Sequence, residues 1–560
     1  MSQPLYLAFL WHMHQPYYRN PLTGECLLPW TRLHALKNYY DIPAIGAEFP
    51  DIHQTFNLVP SMIKQVEEYA HRGDSDIYLD LAEKPAESLT PDDRLFLLQH
   101  FFQANTDTMI TPGPRYRQLL EKRGLYGTLE ALSHTKGLFQ DQDFLDLQVW
   151  FHLVWCGHTL RDRPEIKALF EKGSNFTEQE KHLLLDLQRS FMKEIMPLYR
   201  QLQDEGQIEV SISPFYHPIL PLLCDTGEAD IAMPGADLPD PCFAYPDDAR
   251  TQIQRGTTFY RDRFGCAPRG MWPSEGSVSP SMVPLVADAG IQWIATDDAV
   301  LIQSLMKHTR VTDRAHELTP AQRYRPYRVE QAGRSITIVF RDHLLSDHIG
   351  FVYSRWEAED AAEDLVDRLR DIRRQIPAGE PALVPIILDG ENAWEYYADH
   401  GRAFLRALYS RLSETPEIQT VTMQEALASV APTPLAHLHS GSWIDHSYST
   451  WIGHSEKNAA WECLEAARRI LNEREPCATR EDVVGLRNAR EAMYIAEGSD
   501  WFWWYGDDHM SDNDEQFDRL FRTHVGNVYR ALGEPVPDRL LRPIRQAHIL
   551  QPTRKPMGPI

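Results

Sequence analysis

Short apolar runs alternate with longer segments of helical periodicity along most of the chain. Seven runs are apolar or alternate between apolar and polar positions, and they cover residues 5–11, 52–58, 207–213, 270–272, 291–297, 336–342 and 384–389. Runs of this length are typical of buried strands, whereas Ala358–Gln375 repeats with the period of a helix. Strands that alternate with helices predict an α/β fold built on a parallel sheet or barrel.

Two regions interrupt this alternation. Residues from about 60 to 205 contain leucine-rich stretches of helical periodicity, which predict a large helical insertion. From residue 432 onward no strand pattern repeats, and residues 461–474 and 514–532 are amphipathic. We therefore predict a barrel domain over residues 1–415, including the insertion, and a mainly helical domain over residues 416–560.

The residues that follow the predicted strands are chemically unusual. They include histidines and carboxylates, namely His12, His14, His217, Glu275, Asp297, Asp298, Asp342 and Asp389. Because the site residues of β/α barrels collect at the carboxyl ends of the strands, this pattern predicts a catalytic barrel.

Two of these histidines form a pair on one extended segment. His12 and His14 are two positions apart, so their side chains point to the same side of the backbone. Two interpretations stay open at this point, which are metal ligation and hydrogen bonding to a polar substrate. A metal site requires further ligands in matched geometry.

Two other segments place carboxylates in constrained positions. Glu275 lies in the sequence Trp272-Pro273-Ser274-Glu275-Gly276, a turn that cannot continue as regular structure. The last apolar run leads directly into Asp389-Gly390-Glu391-Asn392. Crowded carboxylates push one another's pKa values apart, and one of them can then stay protonated as a proton donor.

Composition narrows the classes of partner and compartment. The chain has 80 Asp and Glu against 56 Lys and Arg, and its net charge of −24 argues against nucleic acid and anionic membrane surfaces as partners. The seven cysteines include no C-x-x-C pair, which is typical of reduced thiols. Since the chain starts without a signal-peptide pattern and contains no long apolar run, we expect a cytoplasmic protein without membrane helices.

Aromatic residues are frequent, at 11% of the chain with 14 Trp. Trp443 and Trp451 lie in a stretch rich in Gly and Ser, which favours a role in a site where flat rings stack on sugars. The cluster at residues 501–505 is more typical of a core.

Five separated segments together resemble one enzyme family. They are His14-Gln15-Pro16-Tyr17-Tyr18, residues 206–210 with Tyr216-His217-Pro218, Met271-Trp272-Pro273-Ser274-Glu275, Leu388-Asp389-Gly390-Glu391-Asn392 and residues 441–461. In this order they resemble glycoside hydrolase family 57, and within it the branch of amylopullulanases and α-amylases. The resemblance implies an incomplete (β/α)7 barrel and a C-terminal helical domain that closes over the cleft.

The resemblance also implies a retaining mechanism with Glu275 as nucleophile and Asp389 as general acid/base. Substrate contacts are expected from His12, His14, Gln15, His217, Trp272, Asp298, Asp342, Glu391, Trp394, Trp443 and Trp451. This chemistry requires no cofactor and no catalytic metal. The expected partner is an α-glucan polysaccharide or a maltooligosaccharide.

Several alternatives stay open on the sequence. Hydrolysis and transfer differ only in what attacks the glycosyl-enzyme, so a hydrolase of α-1,4 and α-1,6 bonds is not separated from a 4-α-glucanotransferase or a branching enzyme. A metal-dependent polysaccharide deacetylase also uses Asp and His residues at strand ends. A non-catalytic glucan-binding protein is the third alternative.

Overall fold

The computed structural model describes residues 4–124, 129–306, 318–391, 393–477 and 482–546, and ten strands form one sheet within them. The strands are β1 (Leu5–Met13), β2 (Gln54–Leu58), β3 (Ile208–Ile212), β4 (Gly270–Met271), β5 (Trp293–Asp297), β6 (Tyr327–Gln331), β7 (Arg334–Arg341), β8 (Ala382–Asp389), β9 (Ile418–Thr420) and β10 (Thr433–Leu435). The order is β10-β6-β7-β5-β4-β3-β2-β1-β8, with β9 paired to β1. Only the pairing of β6 with β7 is antiparallel among these strands.

Seven parallel strands, from β8 through β1 to β5 and β7, form a curved series whose two ends meet. The amide of Asp342, just beyond β7, donates to the carbonyl of Pro385 in β8 at 2.8 Å. Arg341 Nε donates to the carbonyl of Ile387 at 2.7 Å. These bonds join the ends without a regular ladder between β7 and β8 in the described residues, so the prediction of an incomplete (β/α)7 barrel is confirmed.

Alternate residues of the strands pack into two separate apolar cores. Leu7 and Phe9 of β1 belong to the large core shared with the helices. The second core contains the intervening residues of several strands, namely Ala8, Leu10, Trp293, Ala295, Val339, Leu383 and Ile387. This second core is therefore the interior of the barrel. By the same alternation, His12 and Asp389 face the interior at its carboxyl end.

Helices fill the connections between the strands. Before β3 lie Trp30–Ala35, Asn38–Ala47, Pro60–Glu67, Ile77–Glu83, Pro91–His100, Pro114–Arg123, Leu129–Thr135, Asp141–Val154, His158–Arg161, Pro164–Lys172, Glu178–Met192 and Ile195–Asp204. Between β3 and β9 lie Leu220–Cys224, Ala229–Ala232, Pro246–Phe264, Val283–Asp288, Asp298–Met306, Pro320–Arg323, His343–Asp347, Ala358–Gln375 and Arg402–Ser413. The remaining helices are Met423–Ser429, Ser455–Arg474, Val483–Ala496, Ser499–Trp503 and Asp514–Ala531.

All seven runs predicted as strands are strands in the structure, whereas β6, β9 and β10 were not predicted. β9 and β10 lie beyond residue 415 and still join the sheet, and where the two domains divide stays a prediction. Among the described helices, none is both long and apolar enough to cross a membrane.

Candidate active site

Glu275 lies in a tight turn directly beyond β4. The turn Ser274–Gly276 has a φ of +60° at Glu275, a left-handed conformation that non-glycine residues adopt at a steric cost. The neighbouring backbone is fixed by the segment around residue 441. The amides of Val278 and Gly441 each donate a hydrogen bond to the carbonyl of the other residue, and the Trp443 amide donates to the Glu275 carbonyl at 3.1 Å. The carboxylate is thus held by the backbone of two separate segments.

Two donors bind the carboxylate of Glu275. The indole N–H of Trp443 donates to Oε2 at 3.1 Å, and the hydroxyl of Ser499 donates to Oε1 at 3.2 Å. Burial, followed by the charges of Asp389 and Asp500, raises the pKa of Glu275 to about 8, although both donors act in the opposite direction. Asp389 and Asp500 therefore lie close enough to interact with Glu275 electrostatically.

Three imidazoles stack beside this carboxylate. The ring centroids of His14 and His217 are 3.7 Å apart, and those of His12 and His217 are 5.1 Å apart. Burial lowers the pKa of His12 to about 3 and that of His217 well below its usual value, so both rings are neutral near pH 7. Neutral imidazoles offer one donor and one acceptor each, which suits sugar hydroxyls.

The hydrogen bonds of His217 indicate its tautomer. His217 Nδ1 lies 3.0 Å from the Ser499 oxygen, which lies 3.2 Å from Glu275 Oε1. When Glu275 is ionised it accepts the single proton of this hydroxyl, so Nδ1 then carries the ring proton and donates, which leaves Nε2 as an acceptor. This Nε2 is buried and has no partner within the described part of the chain.

His14 is fixed by two carboxylates. Its Nε2 lies 2.7 Å from Asp500 Oδ1, and its amide donates to Glu391 Oε1 at 2.7 Å. Burial, and then the charge of Asp389, raises the pKa of Glu391 well above its usual value. Glu391 follows β8 as predicted, whereas Asn392 lies outside the described residues.

One combination of these residues is a candidate for metal ligation. His14, His217 and Asp500 each offer a ligand atom, and these atoms lie within 4.8 Å of one another. The lone pairs lie in the planes of the two rings, which are only 25° from parallel, so they do not converge at the distance of about 2.1 Å that a zinc–nitrogen bond requires. His12 is bound to Asn57 at 2.8 Å. The stacking of the two rings thus does not match tetrahedral zinc ligation by His14 and His217.

A cavity of about 330 Å³ adjoins Glu275 through Trp443. Its lining includes Asp297, Asp298, Arg323, His343, Leu344, Trp443, Asp445 and His446. Burial and the charge of Asp297 raise the pKa of Asp298 to about 7, and Arg323 lies 3.1 Å from its carboxylate. The cavity thus has polar walls and lies beside the carboxylate site.

Four predicted site residues contact other buried residues. Gln15 accepts a hydrogen bond from the Tyr18 hydroxyl at 2.7 Å and is fully buried. Asp342 caps the helix His343–Asp347, and its other oxygen accepts from the Tyr324 hydroxyl at 2.8 Å.

The other two are tryptophans of the core. Trp394 packs against the rings of Trp11 and Tyr397. Trp451 is 0% exposed and lies against Trp503. Trp272 is buried too, but its ring lies 5.1 Å from that of Trp443 and 6.0 Å from that of His12, so it supports the site from beneath.

Ser499 and Asp500 were not predicted from the sequence. They begin the short helix Ser499–Trp503, next to Gly498, which pairs with Pro218 of the barrel. The available signal was a Gly-Ser-Asp turn directly before the aromatic cluster, but the aromatic residues alone indicated a core.

Buried carboxylates and histidines lie at the carboxyl end of a ring of parallel strands, which is where barrel enzymes place their active sites. Residues 8–439 match the model of glycosyl hydrolase family 57. The chain therefore belongs to glycosyl hydrolase family 57 and is an enzyme, as the sequence motifs predicted.

Curated relatives resemble parts of the chain. Alpha-amylase 1 of Dictyoglomus thermophilum is 32% identical over 98 residues, which are 18% of this chain and 11% of that protein. The 4-alpha-glucanotransferase of Thermococcus kodakarensis is 24% identical over 269 residues, which are 47% of this chain and 34% of that protein. The matched segments thus span about a third or less of these relatives.

Solved structures match over nearly the whole chain. A GH57 branching enzyme from Thermococcus kodakaraensis has a TM-score of 0.59 at 16% identity, with 96% of this chain and 93% of that chain covered. The alpha-amylase AmyC from Thermotoga maritima has a TM-score of 0.54 at 14% identity, with 96% and 95% covered. At these identities the two likenesses establish the fold.

Proposed function

We propose that the chain is a retaining enzyme that cleaves α-glucosidic bonds of α-glucans, with Glu275 as nucleophile and Asp389 as general acid/base. The observation that carries the proposal is the carboxylate of Glu275, which two hydrogen-bond donors orient beside Asp389 at the carboxyl end of the barrel. The glucan substrate is supported by the names of the relatives, which are amylases and glucanotransferases.

The reaction has two steps in this proposal. Glu275 attacks the anomeric carbon, the glycosidic bond breaks, and Asp389 gives its proton to the departing oxygen. An incoming hydroxyl then loses its proton to Asp389 and displaces Glu275 from carbon. The two inversions leave the product with the starting configuration.

The nucleophile must lose its proton before it attacks. Glu275, with a pKa near 8, holds a proton in much of the free enzyme at neutral pH, and Asp389 needs one to act as an acid. Trp443 and Ser499 stabilise the anion of Glu275, and positive charge that develops on the sugar stabilises it further. We propose that the proton is held by Asp389 when the substrate is bound.

The histidines and Asp500 bind the sugar in this proposal. His217 offers its buried Nε2 to a sugar hydroxyl, and Asp500 orients His14. These contacts lie around Glu275, so they position the anomeric carbon for attack.

Transglycosylation is the second candidate, because the relatives include 4-alpha-glucanotransferases as well as amylases. A chromatographic product profile on maltoheptaose decides between the two. Oligosaccharides longer than the substrate indicate transfer, and products that are all shorter indicate hydrolysis. Parallel profiles on starch and pullulan report whether α-1,4 or α-1,6 bonds are cleaved.

Azide rescue tests the roles of the two carboxylates. In Glu275→Ala, azide can replace the nucleophile from the face opposite an activated α-glucosyl leaving group, and we expect a β-glucosyl azide of inverted configuration. In Asp389→Ala, the glycosyl-enzyme forms from the activated substrate and accumulates, and azide then yields the α-glucosyl azide. NMR of the products distinguishes the two anomers. A retained product from Glu275→Ala would show that the roles are reversed.

A further inference from the structure

Three exposed aromatic side chains lie on two loops of the barrel that are joined by a hydrogen bond. Among the described residues, the aromatic members of the large exposed apolar side chains are Phe351, Trp356 and Tyr396, at 70%, 46% and 49% exposure. Leu344 and Val352 are exposed on the same loops. We call these five residues the aromatic lip. Single exposed apolar residues are ordinary, but a cluster confined to one rim marks an interaction surface.

Hydrogen bonds and ring packing hold the two loops that carry the aromatic lip. Residues 343–355, which follow β7, form one short helix, a π-helical turn (His348–Val352) and a 3₁₀ turn. Within them the buried Tyr353 donates its hydroxyl to Asp364 at 2.6 Å, and Trp356 stands edge-on to its ring at 5.5 Å. The loop beyond β8 is joined to this segment, since the Tyr397 hydroxyl donates to the Ile349 carbonyl at 2.6 Å.

One member of the lip borders the cavity beside Glu275. Leu344 lines the cavity of about 330 Å³ together with Trp443, whose indole donates to Glu275. β7 and β8 end at the same rim of the barrel, and Asp389 is the last residue of β8. A glucan chain that extends from this cavity past Leu344 would therefore run toward the segment that carries Phe351 and Trp356.

We propose that the aromatic lip binds a stretch of α-glucan chain distant from the bond that is cleaved. The inference rests on the proposed function for its ligand class. Sugar rings present patches of C–H that stack on flat aromatic faces, and a polymer can occupy both the carboxylate site and a second surface. Three of the five side chains are aromatic rather than aliphatic, which suits a carbohydrate better than an ordinary hydrophobic partner.

The test compares binding to a polymer with turnover of a short substrate. The variants are Phe351→Ala, Trp356→Ala and their combination, and the matched control is Leu541→Ala, which is 62% exposed in the turn that follows the last helix. Affinity electrophoresis in gels with glycogen or amylose gives the dissociation constant. We expect the double variant to bind the polymer about tenfold more weakly, with an unchanged kcat/KM on an aryl maltoside, and the control to match the wild type.

The possible outcomes distinguish failure of the proposed role of the aromatic lip from failure of the proposed function. Polymer binding that is equal in the double variant and the wild type overturns the lip, whatever the turnover. If the wild type instead turns over no α-glucan, the proposed function fails, and polymer binding still reports on the lip. A dimer of the wild type that the double variant loses in sedimentation, with polymer binding unchanged, assigns the lip to self-association and also overturns the proposal. If Trp356→Ala does not fold, Phe351→Ala alone still allows polymer binding to be compared with that of the wild type.

Discussion

At the scale of one residue, the pKa of Glu275 depends on interactions that act in opposite directions. Burial and the charges of Asp389 and Asp500 disfavour its anion, while the hydrogen bonds from Trp443 and Ser499 favour it. The proposed mechanism needs one proton in the pair, held by Asp389 when the substrate is bound, so loss of that last proton from the free enzyme leaves no general acid. The mechanism thus implies that kcat/KM falls as the pH rises through about 8, which is a basic limb.

The Trp443→Phe variant tests this balance. Phenylalanine keeps an aromatic ring but removes the donor to Oε2, so the pKa of Glu275 should rise further and the basic limb should move to higher pH. The measurement is kcat/KM against pH on an activated aryl maltoside. Trp394→Phe is the control, because Trp394 packs in the core and should leave the limb in place. A limb that moves to lower pH in Trp443→Phe would contradict the assignment.

At the scale of elements, β4 shows how a short strand depends on one glycine. β4 has only two residues, and a methyl group on Gly270 would overlap the indole of Trp293 in the neighbouring β5. The indole N–H of Trp293 donates to Glu209 at 2.9 Å, so this ring cannot move freely. Gly270 therefore sets the spacing of the two strands directly before the turn that carries Glu275.

We expect Gly270→Ala to destabilise the protein by about 1–3 kcal/mol, the usual cost of overpacking a core. Denaturant unfolding gives the difference in free energy. Gly137→Ala is the matched control, since the position is open and its backbone is not left-handed. Equal stability of the two variants would mean that the strands separate without cost.

The strands and their ends also show what sequence patterns could and could not predict. The seven strands of the ring are buried on both faces, so their apolar runs are visible in the sequence. β6 buries only Tyr327 and Val329 among its five residues and lies outside the ring, between β10 and the antiparallel β7, which left a weak pattern. His12 and Asp389 lie at the ends of strands and Glu275 and Glu391 just beyond them, so all four were predicted from their position. Ser499 reaches Glu275 across 224 positions, and no local pattern encodes such a contact.

At the scale of the whole molecule, the C-terminal helices and the barrel share buried polar contacts. The amide of Ser499 donates to the His217 carbonyl at 2.9 Å, and Gln252 donates to the Tyr494 carbonyl at 2.9 Å. Asn527 donates to Asn20 at 2.8 Å, far from the carboxylates. Separation of the two parts would expose these groups and the apolar core that surrounds them.

We therefore expect a single cooperative unfolding transition on heating. Far-ultraviolet circular dichroism follows the helices, and near-ultraviolet circular dichroism follows the buried tryptophans. Coincident midpoints would support one folding unit. A first transition that removes helical signal while the barrel stays folded would contradict it.

The position of Ser499 determines when the candidate active site can be completed during translation. Glu275 and Ser499 are 224 residues apart, and synthesis at about 5–20 residues per second takes roughly 10–45 s to cover that interval. During this time the barrel residues exist without the hydroxyl and the carboxylate that Ser499 and Asp500 supply. A growing chain that has reached residue 490 already contains both proposed catalytic acids, yet it lacks Ser499 and Asp500, which complete the contacts of Glu275 and His14. Activity should therefore begin only after residue 500 has been synthesised and has reached the barrel, and a product that terminates before this residue should be inactive.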